Sequence, residues 1–304
     1  MAIADPSLPN ATEKARAFGI ERIHNSAEQM LEQGGIDAVD IAAPREVHAS
    51  LVLLAAAQGL PVLCQKPLAP TFAEAAALVR DVAGRSRLMV HENWRFRPYY
   101  RQIAAWLRAG RVGRVLQVQM TLLTSGLIAD AEGALPALQR QPFLATLDRA
   151  LVMEIAIHHI DTLRYLLGDL RLMHARLGKT STAIAGEDWA FASFETADSA
   201  PVSLIGNLSA HGEPPALRDR MLLIGERGTI WLDGGTLVCE GVHPAQLTYD
   251  LEATYLDAYT ATIGHFVDAL RNGGAFETSP EDNLKTLRLV EDIYARGSAI
   301  GATQ

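Results

Sequence analysis

AVDIAAPREVHASLVLLAAAQGLPVLCQKP, residues 38–67, decides the architecture. Ala38 to Ala43 is an apolar strand interrupted only by Asp40, and Pro44 stops it. A helix is expected from about Glu46 to Gln58, closed by Gly59. Pro61-Val62-Leu63-Cys64 is a second apolar strand, and Gln65-Lys66-Pro67 follows it. Two apolar strands joined through one helix by short turns form a unit whose strands run parallel.

The same alternation extends outward on both sides. Ala2-Ile3-Ala4 is a short strand ended by Asp5-Pro6. Asn10 and Glu13 have capping-box spacing at the start of a helix through Phe18, with Gly19 closing it. Ser26 and Gln29 repeat that signature ahead of Met30 and Leu31, and Thr71 and Glu74 open a helix reaching about Ala83. Leu88-Met89-Val90 is the last strand of the series. Apolar strands alternating with helices imply a parallel sheet buried on both faces, and such sheets bind ligands beyond the carboxyl ends of their strands. That predicts a common edge for Asp5, Pro44, Gln65-Lys66-Pro67 and His91-Glu92-Asn93.

After Asn93 the pattern changes. A helix is predicted over Tyr99–Ala109, a strand with alternating faces over Val115–Leu123 and a helix over Leu147–Leu167. Residues 124–142 carry glycines and prolines without a period and are expected to form a loop over the site. Strand-like runs at 170–178, 188–196, 201–209, 219–225, 228–233 and 236–240 follow without helices between them, implying an antiparallel or mixed sheet. Helices near 255–271 and 281–296 close the chain. The expected class is α/β: residues 1–92 a truncated, Rossmann-like dinucleotide-binding domain, and 93–304 a second domain with a large open sheet, whose roles in substrate binding and oligomerisation are implied by a family resemblance. Helix 281–296 is a candidate to pack back on the first domain.

Composition narrows the function classes. The chain has 304 residues, 49% hydrophobic and 20% charged, which is ordinary for a folded protein. A net charge of -8 and a pI near 5.6 oppose a nucleic-acid role. Arg108, Arg111 and Arg114 read as the solvated end of a helix. Cys64 and Cys239 form neither a disulfide framework nor a CxxC metal pair, and both read as buried small hydrophobes. The start lacks the basic and apolar regions of a signal peptide, and no apolar run approaches the ~18 residues a bilayer needs. A soluble cytoplasmic protein with no membrane partner is expected.

Several residues are candidates for chemistry. Lys66 ends a buried strand ahead of Pro67, where it could move a proton or remain an ordinary solvated lysine. Glu154 and His158 are spaced to share a helix face, so a carboxylate could orient an imidazole there, or the histidine could be a satisfied core residue. His159 points about 100° away from His158 on a helix, so no metal site is expected and His159 reads as a packing or surface residue. Asp5 stands where a ribose-binding acid would follow a second strand. No GxGxxG, GxSxG or P-loop occurs. The expectation is therefore a dinucleotide fold lacking its first strand and glycine-rich turn, on the order of 25 to 30 residues.

Asp40-Ile-Ala-Ala-Pro44 with His48, Cys64-Gln-Lys-Pro67, Asn93-Trp-Arg-Phe96 with Pro98, Met153-Glu-Ile-Ala-Ile-His158-His-Ile-Asp161 and Ile224-Gly-Glu-Arg-Gly-Thr-Ile-Trp-Leu232 together resemble one family. It is the glucose–fructose oxidoreductase, inositol dehydrogenase and rhizopine-catabolism (Gfo/Idh/MocA) family, and the resemblance runs in order through essentially the whole chain. It implies a Rossmann domain, an α/β domain whose open sheet often forms dimers or tetramers, and hydride transfer between a nicotinamide and a sugar, polyol or related alcohol. The family's Glu-Lys-Pro falls on Gln65-Lys66-Pro67, which implies catalysis by Lys66. Its Asp and His four residues apart fall on Glu154 and His158, an acid for substrate or catalysis and a proton carrier. Cofactor contacts are implied for Asp5, Pro44, His48, Gln65, Lys66 and Asn93. Substrate contacts are implied for Lys66, Asn93, Arg95, Glu154 and His158, with Arg95 or Arg97 meeting any anionic group. Asp5 resembles the acid of NAD-preferring members, with NADP the other option.

Three departures stand out. The glycine-rich turn is absent, Gln65 removes a negative charge beside Lys66, and Glu154 adds one methylene, extending the carboxylate by about 1 Å. Two readings follow: a dehydrogenase, favoured by the retained Lys66 and His158, or a non-catalytic dinucleotide or sugar sensor, favoured by the departures. Cofactor binding without turnover separates the second from the first.

Overall fold

A computed structural model describes residues 1–297, which divide into two compact units. The first is Met1–His91 with Phe266–Leu284, and the second begins at Glu92, runs to His265 and resumes at Lys285. In the first unit, strands β1 (Ala2–Ala4), β2 (Arg22–His24), β3 (Val39–Ile41), β4 (Val62–Gln65) and β5 (Leu88–His91) alternate with helices α1 (Leu8–Phe18), α2 (Ala27–Gln33), α3 (His48–Ala57) and α4 (Phe72–Val82). Every strand pairing in this unit is parallel.

The parallel sheet comes in two pieces, β1-β2 and β3-β4-β5. Asp5 follows a strand of the smaller piece, and the ends of β3, β4 and β5 share one edge of the larger; no pairing joins the two pieces among the described residues. Alternation in a sequence reveals strands but not which of them pair. β4 and β5 are almost wholly buried, whereas β1 and β2 are half-buried, so the core of this unit sits around β4 and β5. Thr278 reinforces β5: the Val90 N–H donates to its carbonyl and its hydroxyl donates to the Val90 carbonyl.

The caps are partly as the sequence implies. Thr71 and Glu74 form a complete capping box on α4, and Ser26 accepts from the Gln29 N–H on α2. At α1, however, the cap is Ser7, which accepts from the Asn10 N–H, so Asn10 lies inside the first turn. Pro9 explains the shift, because proline is favoured in a first helical turn, where its missing N–H costs nothing.

In the second unit, α5 (Pro98–Arg108), α6 (Pro136–Arg140) and α7 (Ile157–Leu167) accompany strands β6 (Val115–Leu123), β7 (Leu170–Gly178), β8 (Trp189–Thr196), β9 (Pro201–Asn207), β10 (Arg218–Gly225), β11 (Gly228–Asp233), β12 (Thr236–Gly241) and β13 (Ala245–Thr248). They form one eight-stranded sheet in the order β13-β12-β11-β10-β6-β9-β8-β7. All its pairings are antiparallel except β6 with β9. Val118, Met120 and Leu122 of β6 lie with Val202 and Leu204 of β9 on the buried face, as period-two alternation requires. Helices α8 (Leu251–Asn272) and α9 (Pro280–Arg296) end the described chain.

The helix expected over 147–167 differs at its start. Leu151–Ala156 is a π-helical turn that runs into α7, and residues 147–150 are not helical. Glu187 caps this turn, its carboxylate accepting from the Val152 and Ala150 N–H groups at 2.9 and 3.3 Å. The Tyr294 hydroxyl donates to Glu187 at 2.6 Å and accepts from the Met153 N–H at 3.2 Å. Helix starts carry orphan N–H groups, and here a buried acid and a phenol satisfy them. Gly206 of β9 allows the close approach, since a Cβ there would lie 3.0 Å from Leu151 Cδ2.

Candidate active site

In the first unit, β3, β4 and β5 deliver their carboxyl ends in register, with Ile41 beside Cys64 and Gln65 beside His91. Gln65 Nε2 lies 2.8 Å from His91 Nδ1, tying the two strand ends together. Lys66 comes next, half-buried, joined to Pro67 by a cis peptide. His48 is buried at the start of α3, and its ring nitrogens lie 2.9 Å from the Pro67 carbonyl and 2.8 Å from the Ala43 carbonyl. Its ring thus braces the turn after β4 against the turn after β3, beside Pro44. Burial, aided by Asp40, pushes the Cys64 thiol far up, so it stays a neutral packing group. At the end of β1 the Asp5 carboxylate accepts from the Ser7 N–H at 2.7 Å.

In the second unit the chemistry gathers on Glu92–Arg97 and the start of α7. Glu92, fully buried, lies 2.5 Å from His158 Nδ1 through Oε1. The carboxylate on that nitrogen is therefore Glu92, 66 residues away, where the spacing had suggested Glu154. Glu154 sits in the π-helical turn, where the wider winding changes its angular relation to His158. Trp94 stacks on His158 with centroids 4.8 Å apart and planes at 18°. Arg97 lies over the Trp94 ring at 3.5 Å.

Asp219 anchors this cluster. It is buried and accepts from Trp94 Nε1 at 2.9 Å, Tyr99 Oη at 3.0 Å and Tyr100 Oη at 2.9 Å, with His159 Nε2 at 2.9 Å on its other oxygen. Burial alone would raise its carboxyl, but His159 and Arg97 together hold it well below the usual carboxylate range. His159 is thus a buried partner of an acid. Burial, then Asp219, pushes both tyrosines up, keeping them neutral donors.

Arg95 is buried and meets Asp161 through two nitrogens, each at 2.6 Å. Arg95 and Arg97, expected to meet any anionic substrate group, face Asp161 and Asp219 here. Desolvating a guanidinium is costly without a fixed anion, and these two spend their charge on Asp161 and Asp219. Asn93 hydrogen-bonds Tyr259 of α8, whose hydroxyl is raised by burial and then by Tyr255. Glu92, Trp94 and Asp219 were not singled out from the sequence for chemistry. Only the place of Glu92 and Trp94 directly after a strand end marked them, and nothing local marked Asp219. Among the described residues no group of three or more His, Cys, Asp or Glu could hold a metal ion, and no helix is long and apolar enough to cross a membrane.

Two family models match in chain order. Residues 1–93 match the oxidoreductase family with an NAD-binding Rossmann fold, and residues 100–231 match the GFO/IDH/MocA C-terminal domain. The chain belongs to the Gfo/Idh/MocA oxidoreductase family. Among relatives, a D-apiose dehydrogenase of Paraburkholderia graminis is 33% identical over 97% of this chain and 80% of its own length. An inositol 2-dehydrogenase of Streptomyces avermitilis is 30% identical over 90% of this chain and 76% of its own. An Agrobacterium radiobacter oxidoreductase solved with NAD+, L-tartaric acid and magnesium superposes with a TM-score of 0.89 at 29% identity, over 98% of this chain and 88% of that one. Gfo/Idh/MocA membership makes the cofactor NAD. The residues present fit its two ends in kind: Asp5, an acid ending a parallel strand, suits a ribose hydroxyl pair, and the turns at Pro44 and Lys66 leave the carboxyl edge of the larger sheet piece. The sequence holds no glycine-rich turn for the pyrophosphate.

Proposed function

We propose that this family member oxidises a secondary alcohol of a sugar or polyol, with Lys66 and His158 handling the hydroxyl proton. The observation that carries the proposal is the position of Lys66, directly after the central strand of the β3-β4-β5 piece, on the edge where parallel sheets bind ligands. Bound NAD+ supplies the hydride acceptor. Oxidation then requires a base for the hydroxyl proton while the carbon gives up its hydride, and Lys66 and His158 are the groups of suitable type. Glu154 and Asn93 position the hydroxyl groups of the substrate. Asp5 takes the adenosine ribose, Pro44 and Gln65 line the nicotinamide end, and His48 fixes the Lys66-Pro67 turn from behind. We further infer a cytoplasmic homo-oligomer, a dimer or tetramer.

The relatives suggest the substrate panel: D-apiose, inositol and levoglucosan, each offered with NAD+. The reduced-nicotinamide absorbance should grow with at least one of them, and more slowly when NADP+ replaces NAD+. Tight NAD+ binding by calorimetry with no turnover on a broad sugar and polyol panel would instead support a sensor.

A further inference from the structure

We propose that Glu92 is a positioning residue that holds His158 with its proton on Nδ1 and leaves Nε2 as the nitrogen that takes the substrate's hydroxyl proton. The proposal rests on the dehydrogenase reading, and three observations carry it. Glu92 is fully buried and its Oε1 lies 2.5 Å from His158 Nδ1. The same oxygen accepts the Trp94 N–H at 3.3 Å, so the carboxylate is fixed by the turn it belongs to. Trp94 then covers one face of the imidazole and is itself held by Asp219 at its indole nitrogen and by Arg97 on its ring.

The chemistry follows from the inventory of the ring. A carboxylate accepts but does not donate, so the neutral imidazole must carry its proton on Nδ1. Nε2 then has a lone pair. When the alcohol carbon passes its hydride to the nicotinamide, the O–H bond breaks and its electron pair completes the C=O bond. The proton goes to Nε2, and the Glu92 carboxylate faces the imidazolium that results. The charged and titratable groups around the ring within this unit are Glu92 on Nδ1 and Arg97 beyond Trp94. The Arg95–Asp161 pair stands on the 94–96 turn and α7, the His159–Asp219 pair beside it, Tyr259 of α8 against Glu92 and Asn93, and Glu154 four residues earlier in the chain.

Glu92→Gln keeps the shape and removes the charge, while Glu92→Asp keeps the charge at a shorter reach. The full chain, labelled with nitrogen-15 histidine and compared with a His158→Gln sample to assign the signal, should show the Nδ1–H form of neutral His158. In Glu92→Gln the His158 titration should move to lower pH by about one unit, because a nearby anion favours the charged ring. The acid limb of kcat against pH should move the same way, kcat on the plateau should fall about 10- to 100-fold, and KM for NAD+ should hold. Glu92→Asp should keep the wild-type limb. A neutral ring protonated at Nε2, or a titration that Glu92→Gln leaves unmoved, overturns the proposal. The magnetic-resonance readout needs no turnover. A wild-type protein inactive on every sugar yet showing the expected tautomer and titration would sink the dehydrogenase reading while leaving the Glu92–His158 arrangement in place.

Discussion

Two neighbouring strands, β4 and β5, end side by side, yet the turns that follow them are held by different physics. After β4, the Lys66-Pro67 turn is braced by hydrogen bonds: Gln65 with His91, and the His48 ring, whose two nitrogens face two main-chain carbonyls. After β5, the segment 92–97 is held by buried charge: Glu92 at His158, Arg95 on Asp161, and Arg97 with Trp94 on Asp219. A single hydrogen bond contributes on the order of 1 kcal/mol net, whereas removing one partner of a buried ion pair strands the other. The contrast assigns rigidity to the segment that orients His158 and a softer brace to the turn that carries Lys66.

The largest effect should come from Asp219→Ala, which leaves Arg97 and His159 buried without their anion. Urea denaturation should show a loss of about 3–5 kcal/mol. The acid in the folded protein titrates below its unfolded range, so its stabilisation is present above that range and lost as pH falls toward the lowered value. Asp219→Asn should accordingly flatten the acid side of the stability–pH curve, and an unchanged slope would put Asp219 outside the balance. His48→Leu comes next: two buried carbonyls lose their ring partner, at a cost of about 1–3 kcal/mol, with a rise in KM for NAD+ larger than any fall in kcat. If His48→Leu proved as damaging as Asp219→Ala, the contrast between hydrogen-bond and ion-pair bracing would collapse. The smallest effect should be Thr71→Ala, which removes the side-chain cap of α4; thermal melting should report a loss of about 1 kcal/mol with activity unaltered.

The legibility of the molecule follows the range of the interactions. Strand β4, helix α3 and the Lys66-Pro67 turn are visible in thirty consecutive residues, because apolar runs, proline and glycine act locally. Strand β2, Arg22–His24, was missed because three residues with one apolar member show no alternation. The π-helical turn was read as ordinary helix because its cap, Glu187, lies far along the chain. His158 stands out from its motif, and spacing offers Glu154 as a carboxylate for it, because sequence spacing sees neighbours on one helix. The carboxylate on Nδ1 crosses 66 residues. Arg95 and Arg97 looked available to a substrate for the same reason: Asp161 and Asp219 are invisible until the chain folds.

The most direct test of the central claim is the rate of NAD+ reduction by Lys66→Met against wild type, on whichever sugar or polyol the wild type oxidises fastest. The account predicts a fall of about 10²–10⁴-fold, with NAD+ affinity and thermal stability close to wild type. A Lys66→Met protein that reduces NAD+ at the wild-type rate would contradict it.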